Sequence, residues 1–333
     1  MLEPLVSLPV AQRSLAALAE LYTAARQYVE ATRQALAVSS LVHGDALLLG
    51  ALQREASVAQ RFGLPDVPRL RRLTTGGAAR LSGSALHHLL LLPRVDQLIA
   101  DAQPGNFINR YVRALLSGYN ALGARANYFG REHFTLGKRP AGVLGVDVTR
   151  GGVWILEALV GLQQPTVLEA FRGAAPVALL EALSAAGSAR RDTEPLALAA
   201  RVHERACRAW LSALPGASPG ASARLMADVE VLGAASAVSG LPKTPDPDLD
   251  GDVEGWRSAE VPIGLLEVGV AARGYYIRGD ILTSRAAVAA AEAALAGMGS
   301  VGAGEAERAL SAFDEAPFEG ARLSDLFGLL VDA

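Results

Sequence analysis

Apolar residues recur at helical spacing in several long segments of the chain. The clearest is residues 105–126, where large apolar side chains lie three or four positions apart and predict an amphipathic helix. Similar spacing predicts one or two helices in residues 10–39, a helix that ends at Gly63, and helical structure in residues 166–215. The apolar positions of the clearest helix are Phe107, Ile108, Tyr111, Leu115, Leu116, Tyr119 and Leu122.

Strand-like runs separate these helices. The run HHLLLLP predicts a buried strand that stops at Pro93, because proline cannot continue a strand ladder. Residues 126–162 predict a meander of strands with glycine turns. After an acidic, proline-rich loop (240–255), VPIGLLEVGVAA and GYYIRGDIL predict two more strands, and alanine-rich helices follow to the end. The glycine turns of the meander are at Gly130, Gly137 and Gly151-Gly152.

The change in composition before residue 225 predicts a domain boundary. We expect a helical extension in residues 1–39, a larger α/β domain in residues 40–224 and a smaller C-terminal domain in residues 225–333. A chain of 333 residues is long enough to bury a substantial core in this arrangement.

Composition excludes several classes of protein. No stretch of about 18 apolar residues lacks charge, so we expect no transmembrane helix and no membrane partner. The N-terminal segment mixes charged and apolar positions and does not resemble a secretory signal. Cys207 is the single cysteine, which fits a cytoplasmic protein without disulfides. A net charge of -3 with dispersed cations gives no reason to expect nucleic acid.

Two short segments are candidates for an anion-binding site. In RRLTTGGAA, residues 71–79, adjacent glycines let backbone N–H groups approach a phosphate or carboxylate, although a hairpin turn with solvated arginines has the same pattern. In GKRPAG, strand alternation puts Lys138 and Arg139 on opposite faces. Only one of them can face a pocket unless a bulge intervenes; an edge strand with two solvated charges is the alternative.

Three other groups have weaker chemical signals. DPDLDGDVE, residues 246–254, partly matches a calcium loop, but Arg257 stands where the final glutamate is expected, and a flexible acidic linker explains it better. We therefore expect no metal site. His203 and Cys207 share a helical face and could form a nucleophilic pair, but their neighbours indicate a core position. His87 and His88 have no third ligand at a recognisable spacing and are expected to be structural.

The order of these segments resembles the biotin/lipoate protein ligase superfamily, and within it the long, two-domain lipoate–protein ligases. The resemblance covers roughly residues 40–300. It is carried by DALLLGALQREASV, RRLTTGGAA, GREHFTLGKRPAGVLG and the C-terminal pair VPIGLLEVGV and IRGDIL. It implies a mixed, largely antiparallel sheet packed with helices, followed by a small α/β accessory domain.

The resemblance also implies a reaction. Ligases of this family use ATP and Mg²⁺ to convert lipoate or octanoate to an acyl-adenylate. A lysine of a lipoyl acceptor domain, or of a glycine-cleavage H-like protein, then takes the acyl group. In the family, a glycine loop surrounds the adenylate and a motif lysine stabilises the charge that develops in the transition state.

The family's motifs transfer to this chain residue by residue. They imply that the acyl-adenylate is bound by residues that match the motifs and by residues that replace a motif residue. Thr75 replaces the first glycine of the first motif, and Arg131-Glu132 replace the Asn-Asp of the second. Arg139 occupies the place of the lysine, and the His-Gly expected further on reads Gly151-Gly152. The implied binding residues are Arg72, Thr74, Thr75, Gly76, Gly77, Ala78, Glu132, Ala141 and Gly142.

The implied catalytic cations are Arg139 and Lys138. Arg139 should face the pocket and Lys138 should face away, unless a bulge between Gly137 and Pro140 swings Lys138 inward. A guanidinium is a wide planar fork and replaces a compact ammonium poorly.

Three hypotheses about function remain open from the sequence. The first is that the protein is an ATP-dependent ligase with a rearranged pocket. Alternatively, it is a pseudoenzyme that keeps the fold to bind an acyl group, a nucleotide, an acceptor domain or a partner subunit. The third, weaker hypothesis is an ATP-independent acyltransferase that uses Cys207 as its nucleophile.

Overall fold

The computed structural model describes residues 4–63, 66–130, 132–170, 173–188, 194–214, 223–225, 227, 253–261, 264–271, 274–296, 304–305, 308 and 328–329.

A large mixed sheet organises the first two thirds of the chain. Its order is β10-β1-β3-β5-β9-β8-β7-β6, with β2 and β4 also paired to β3. The central pairs are antiparallel, whereas β1, β2 and β4 run parallel to β3. The strands are β1 (Leu5–Ser7), β2 (Ala11–Ser14), β3 (Ala35–Leu49), β4 (Arg69–Arg71), β5 (Ala79–Leu92), β6 (Ala126–Tyr128), β7 (His133–Leu136), β8 (Arg139–Val148), β9 (Trp154–Gly161) and β10 (Arg224–Leu225).

A second, smaller sheet follows in the C-terminal part. It contains β11 (Val253–Val261), β12 (Gly264–Ala271) and β13 (Gly274–Gly279), all antiparallel in chain order. The α-helices whose bounds the structure describes are α1 (Leu15–Thr32), α2 (Glu55–Phe62), α3 (Phe107–Ala121), α4 (Leu179–Ala185), α5 (Pro195–Ser212) and α6 (Arg285–Leu295).

Helices cover both faces of the large sheet. Successive strand residues point to opposite faces, so Leu36 and Val38 pack with the buried face of α1, whereas Ala35 and Ala37 belong to the core formed with α3 and α5. Helices α3 and α5 approach closely at Gly118, where a Cβ atom would lie 2.6 Å from the Val202 carbonyl oxygen. The predicted fold class is therefore confirmed: a mixed, mostly antiparallel sheet between helices.

Local predictions from spacing agree with these elements. The helix predicted in residues 105–126 is α3, the run before Pro93 ends β5, and the meander of residues 126–162 is β6 to β9. The helix predicted to end at Gly63 is α2, but most of the segment before it, DALLLG, belongs to β3. Residues 166–215 contain α4 and α5 rather than continuous helix.

The predicted boundary between the helical extension and the larger domain falls within a strand. The boundary after residue 39 lies inside β3, and β1 and β2 both pair with β3, so residues 1–39 contribute strands as well as helix α1. Local helical spacing could not show this, because the pairing depends on contacts distant in sequence. The acidic loop lies outside the described residues up to residue 252, and its end is the start of β11. The division into three domains stays a prediction.

In the described residues, we find no helix with the length and apolar character needed to cross a membrane.

Candidate functional site

The glycine loop, residues 72–78, connects β4 to β5 and lies beside the end of β3. The Arg72 N–H donates to the Leu49 carbonyl oxygen at 2.8 Å, and the Ala51 N–H donates to the Thr74 carbonyl oxygen at 2.8 Å. A Cβ atom at Gly50 would lie 1.9 Å from the Gly76 carbonyl oxygen, so this approach requires glycine. The loop is therefore a packed part of the sheet's end.

Close contacts with neighbouring residues explain why both glycines of the loop lack a side chain. Gly76 has φ +99°, and its added Cβ would lie 2.7 Å from the Leu144 carbonyl oxygen and 2.7 Å from a methyl carbon of Leu282. A Cβ at Gly77 would lie 3.0 Å from Cγ of Glu132. The loop thus contacts both β8 and a C-terminal residue.

A buried ion cluster lies under the glycine loop and is centred on Glu157 of β9. Its carboxylate accepts from Arg72 at 3.2 Å and from the Thr74 hydroxyl, and pairs with Nε2 of His87 at 2.8 Å. Burial opposes ionisation of Glu157, but the charge of Arg72 and the hydrogen bonds of His87 and Thr74 outweigh it and lower the pKa to about 2. Arg72 and Thr74 are therefore engaged by the protein itself.

Residues 279–285, which we call the C-terminal strap, connect β13 to α6 and cross the glycine loop. The Gly76 N–H donates to the Ile281 carbonyl oxygen at 3.1 Å. The Thr75 hydroxyl oxygen lies 2.8 Å from the Thr283 carbonyl oxygen and accepts from the Thr283 N–H at 3.1 Å. The Thr75 N–H donates to Val146 of β8 at 2.8 Å. Two backbone donors of the loop therefore already have protein acceptors.

A small cleft, partly open to solvent, lies beside Gly77 and Ala78. We call it the acidic cleft, because three carboxylate side chains line it together with apolar residues. Arg61 of α2 pairs with two of them, Glu169 at 2.9 Å and Asp280 at 2.8 Å. The other lining residues are Phe62, Glu132, His133, Val143, Val167 and Leu168.

Asp280 is a carboxyl group of the cleft whose pKa is strongly shifted. Burial raises its pKa to about 7, although Arg61 and the side-chain amide of Gln53 favour the carboxylate, and the charges of Glu132 and Glu169 raise it further. The cleft is therefore suited to neutral or positively charged groups and unfavourable for a phosphate or a free carboxylate.

The structure does not bring the two predicted catalytic cations to the glycine loop. Gly137 and Lys138 have φ of +55° and +71° and form the two-residue turn between β7 and β8, with Lys138 exposed. Arg139 donates to the carbonyl oxygens of Ala175 at 3.0 Å and Pro176 at 2.7 Å, and pairs with Glu181. The loop contacts β8 at Leu144, five residues further on, or about 17 Å along a strand.

The bulge needed to turn Lys138 inward is absent from the turn. The pairing of β7 with β8 shifts register where Phe134 pairs with Gly142 and Thr135 pairs with Pro140, so Ala141 is the extra residue. Lys138 stays in the exposed turn. Ala141 is fully buried, and a Cβ at Gly142 would lie 2.2 Å from the Phe134 ring, so both motif residues pack the hairpin.

The remaining predicted site residues have varied positions. Thr75, Gly76, Gly77, Ala78 and Glu132 meet around the loop and the acidic cleft. Arg131 lies outside the described residues. Gly151 and Gly152 form the turn between β8 and β9.

Three other sequence candidates are buried away from the loop. Cys207 lies in the core on α5, 3.7 Å from Nε2 of His203, and burial raises the pKa of its thiol to about 12. His203 and His88 both bond to the Ser39 hydroxyl at 2.7 Å, and His88 also bonds to the Tyr119 hydroxyl at 2.8 Å. This network joins α3, α5 and β3. Cys207 is not among the residues that line the cleft.

Metal binding has no support in the described part of the chain. There, no group of three or more His, Cys, Asp or Glu side chains is placed to hold a metal ion. The calcium-like segment lies outside the described residues up to residue 252.

Sequence reasoning missed Glu157, Asp280 and Arg61. Glu157 is a single carboxylate inside the apolar run WILEALVG, a pattern that marks a buried charge in need of a partner. Asp280 lies within IRGDIL, which resembled the accessory domain and carried no sign of reaching the glycine loop. Arg61 had no signal beyond its helix.

Comparisons with solved structures find proteins that resemble this chain in fold. P. falciparum LipL1, solved in complex with lipoate, matches 99% of this chain and 100% of its own at a TM-score of 0.60 and 9% identity. A lipoate–protein ligase A bound with ATP matches 69% of this chain and 93% of its own, with a TM-score of 0.44 and 10% identity. Leishmania major biotin protein ligase with biotinyl-5-AMP matches 83% of this chain and 97% of its own, with a TM-score of 0.35 and 12% identity.

The match to LipL1 spans both chains, so this chain has the same overall fold as that protein. The fold that the resemblance implied is thereby confirmed. No model of a known protein family and no curated protein matches the sequence.

Proposed function

We propose that this protein is a non-adenylating member of the lipoate–protein ligase fold. In this proposal, the acidic cleft binds a lipoyl or octanoyl group as a neutral amide, as on the acylated lysine of a lipoyl-type acceptor domain. The observation that carries the proposal is the distribution of charge. Glu132, Glu169 and Asp280 line the cleft beside the glycine loop, while Lys138 and Arg139 lie at the far end of the β7–β8 hairpin.

Adenylate formation needs positive charge where the carboxylate attacks the α-phosphate. Loss of one well-placed donor for such charge typically costs about 10²–10³ in rate. Here the Arg139 guanidinium is held by Glu181 and two backbone carbonyls, and Arg72 is paired with Glu157. The N–H groups of Thr75 and Gly76 also have protein acceptors. ATP and Mg²⁺ therefore have no evident role.

An amide-linked acyl group suits the cleft better than a free acid does. Its alkyl portion is compatible with apolar walls such as Val143, Val167 and Leu168. Its N–H can donate to a carboxylate, whereas a free carboxylate at about 5 Å from another carboxylate is repelled by roughly 3 kcal/mol at an effective dielectric constant of 20. We therefore expect lipoamide to bind at least about tenfold more tightly than lipoate.

Two measurements test the proposal. The first is intact-mass spectrometry of a lipoyl acceptor domain incubated with the protein, ATP, Mg²⁺ and lipoate or octanoate, beside a reaction with a known ligase. We expect no mass gain with this protein. A gain would establish the alternative, an ATP-dependent lipoate or octanoate ligase, and overturn the proposal.

The second is titration of the protein with lipoamide and with lipoate by calorimetry at pH 8. Glu169→Gln is the matched variant, because Glu169 is partly exposed and its removal lessens the negative charge of the cleft. The preference for lipoamide should shrink in this variant. Equal affinities of the wild-type protein for both compounds, or no binding of either, would contradict the proposed ligand.

A further inference from the structure

Five buried side chains form a continuous series of hydrogen bonds between the large sheet and helices α3 and α5, which we call the imidazole chain. It begins at the Tyr119 hydroxyl, which lies 2.8 Å from Nε2 of His88. The Ser39 hydroxyl lies 2.7 Å from Nδ1 of His88 and 2.7 Å from Nδ1 of His203. Nε2 of His203 lies 2.7 Å from the Ser7 hydroxyl. The imidazole chain therefore connects α3, β5, β3, α5 and β1.

Strand pairing and helix packing bring these residues together. Ser39 and His88 lie directly opposite each other in the β3–β5 pair, so their side chains point to the same face of the sheet. Helices α3 and α5 cover this face. Their close contact is made by Gly118, which directly precedes Tyr119, and by the residue that directly precedes His203. The members of the imidazole chain thus meet where the two helices meet the sheet.

One arrangement of hydrogens satisfies every member of the imidazole chain. A hydroxyl has one hydrogen to donate, and a neutral imidazole has one N–H and one acceptor nitrogen. Within the part of the protein that the structure describes, His88 is the one partner of the buried Tyr119 hydroxyl, so that hydroxyl donates to Nε2 of His88. The proton of His88 is then on Nδ1 and is donated to Ser39. Ser39 in turn donates to Nδ1 of His203, whose proton is on Nε2 and is donated to Ser7. If both imidazoles donated to Ser39, its own hydrogen would have no acceptor in the imidazole chain.

The opposite direction of donation leaves a buried hydrogen without an acceptor. In that direction His88 donates to Tyr119, and among the described residues the hydroxyl hydrogen of Tyr119 then has no acceptor, which is costly in a core. In the assigned direction, the Ser7 hydroxyl donates to the Leu8 carbonyl oxygen, 3.4 Å away. The geometry therefore assigns the Nδ1–H tautomer to His88 and the Nε2–H tautomer to His203.

Charged and titratable groups also lie on the elements around the imidazole chain. Arg13 of β2 donates to a backbone carbonyl oxygen of β3 at 3.2 Å. His87 of β5 points to the opposite face of the sheet, where it pairs with Glu157 at 2.8 Å. Cys207 of α5 lies 3.7 Å from Nε2 of His203, and burial raises the pKa of its thiol to about 12, so it is neutral. None of these groups places a negative charge against the imidazole chain.

Both imidazoles are therefore neutral in the closed core. Among the described residues, no carboxylate pairs with His88 or His203. Burial lowers the pKa of His203 to about 4, and burial together with His203 and His87 lowers the pKa of His88 well below its usual value of 6.5. A proton added to His88 makes both of its nitrogens donors, so the Tyr119 hydroxyl loses its acceptor. A proton added to His203 removes the acceptor of Ser39 in the same way.

We propose that the imidazole chain is an acid-sensitive clamp. It fastens α3, α5 and β1 to the centre of the large sheet while both imidazoles are neutral, and it opens when either imidazole gains a proton. Because every bond in it joins two different elements, loss of one bond releases an element from its neighbour. The clamp is independent of the ligand proposed for the acidic cleft.

The direction of the pH dependence follows from proton linkage. An exposed histidine has a pKa of about 6.5, whereas the pKa of each imidazole in the closed clamp is lower. Below pH 6.5 the open state therefore binds more protons than the closed state, so closure is complete well above pH 6.5 and weakens as the pH falls. For each imidazole that opening exposes, the equilibrium constant for closure should fall about tenfold between pH 7.5 and pH 5.5.

Nuclear magnetic resonance of ¹⁵N-histidine-labelled protein tests the assigned hydrogens. Long-range nitrogen–proton correlations at pH 7.5, assigned through the backbone, show which ring nitrogen of each imidazole carries the proton. We expect Nδ1–H for His88 and Nε2–H for His203, both neutral. The measurement uses the unaltered protein, so it stays decisive if variants fold poorly. A charged imidazole at either position, or an Nε2–H tautomer at both, would overturn the clamp.

Hydrogen exchange followed by mass spectrometry tests the opening. Protection of peptides from α5 is compared at pH 7.5 and pH 5.5, after correction for intrinsic exchange rates. In the wild-type protein we expect it to fall about tenfold if one imidazole is exposed and about a hundredfold if both are. His203→Gln cannot be charged, so the fall should be about tenfold smaller. Peptides from α6, which carries no member of the imidazole chain, should keep their protection.

His43→Gln is the matched control. His43 is exposed, so its pKa has no reason to change on opening, and this variant should show the same fall as the wild-type protein. His88→Gln should reduce the fall as His203→Gln does. The clamp is disproved if α5 is equally protected at both pH values, if α6 loses as much protection as α5, or if both glutamine variants in the imidazole chain behave like His43→Gln.

Discussion

Thr75 and Thr283 bond to each other although they are 208 residues apart. The Thr283 N–H donates to Oγ1 of Thr75 at 3.1 Å, and the same oxygen lies 2.8 Å from the Thr283 carbonyl oxygen. Thr75 stands where the lipoate–protein ligase motif has its first glycine, and a glycine has no hydroxyl to make this contact. The departure from the motif is therefore also the residue that fastens the C-terminal strap to the glycine loop.

Thr75→Val should lower the free energy of unfolding by about 1–3 kcal/mol, because it keeps the side chain's shape but leaves buried partners without their hydroxyl. Urea unfolding measures the change. Thr75→Ser is the control, since it keeps the hydroxyl and should cost less. Equal stability of the valine variant and the wild-type protein would show that the hydroxyl contributes nothing measurable to the free energy of unfolding.

Glu157→Gln should destabilise the protein by about 3–5 kcal/mol at pH 7, because Arg72 is then buried without its counter-charge. Thermal or urea unfolding measures this loss. Val153→Ala, a nearby apolar change, is the control for general loss of packing. Truncation of a single buried aliphatic side chain costs on the order of 1–3 kcal/mol, and this cost does not depend on pH.

The same carboxylate should make stability sensitive to acid. Its pKa is lowered from 4.5 to about 2 in the folded protein. Its stabilising contribution is therefore complete above pH 4.5 and is lost as the pH falls toward 2. A stability profile measured from pH 6 to pH 3 should slope less in Glu157→Gln than in the wild-type protein. Parallel profiles would mean that Glu157 is not the group responsible.

The turn between β7 and β8 gives a prediction for Lys138. A non-glycine residue with φ +71° is in the left-handed region, which costs about 1 kcal/mol relative to glycine. Lys138→Gly should therefore raise the free energy of unfolding by up to about 1 kcal/mol, while Lys138→Ala should leave it nearly unchanged. A loss of stability in both variants would indicate that the lysine side chain makes a contact that matters.

Cys207 should be inert in the folded protein. Its thiol is buried and its pKa is raised to about 12, so the thiolate needed for alkylation is scarce at pH 8. Mass spectrometry after iodoacetamide treatment should show no adduct in native protein and one adduct in urea. Rapid labelling of native protein would reopen the hypothesis of a cysteine-dependent acyltransferase.

The sequence predicted features that depend on neighbouring residues. Helix α3 and the strands from β6 to β9 were identified because helical or strand spacing and glycine turns are local patterns. The role of residues 1–39 was missed, since β1 and β2 acquire their meaning only by pairing with β3. The two glycines and the alanine of the first motif lie side by side simply because they are adjacent in the chain.

By itself, the sequence determined the fold class, the order of the motifs and the departures from them at Thr75 and Arg139. The tertiary structure decided what those departures do. It placed Arg139 against Glu181, Arg72 against Glu157, and Thr75 against Thr283. Each pair joins residues from different elements, and pairing of charges and hydrogen bonds across elements leaves no periodic pattern in a single chain. The site's chemistry therefore follows from contacts between elements that are distant in the sequence.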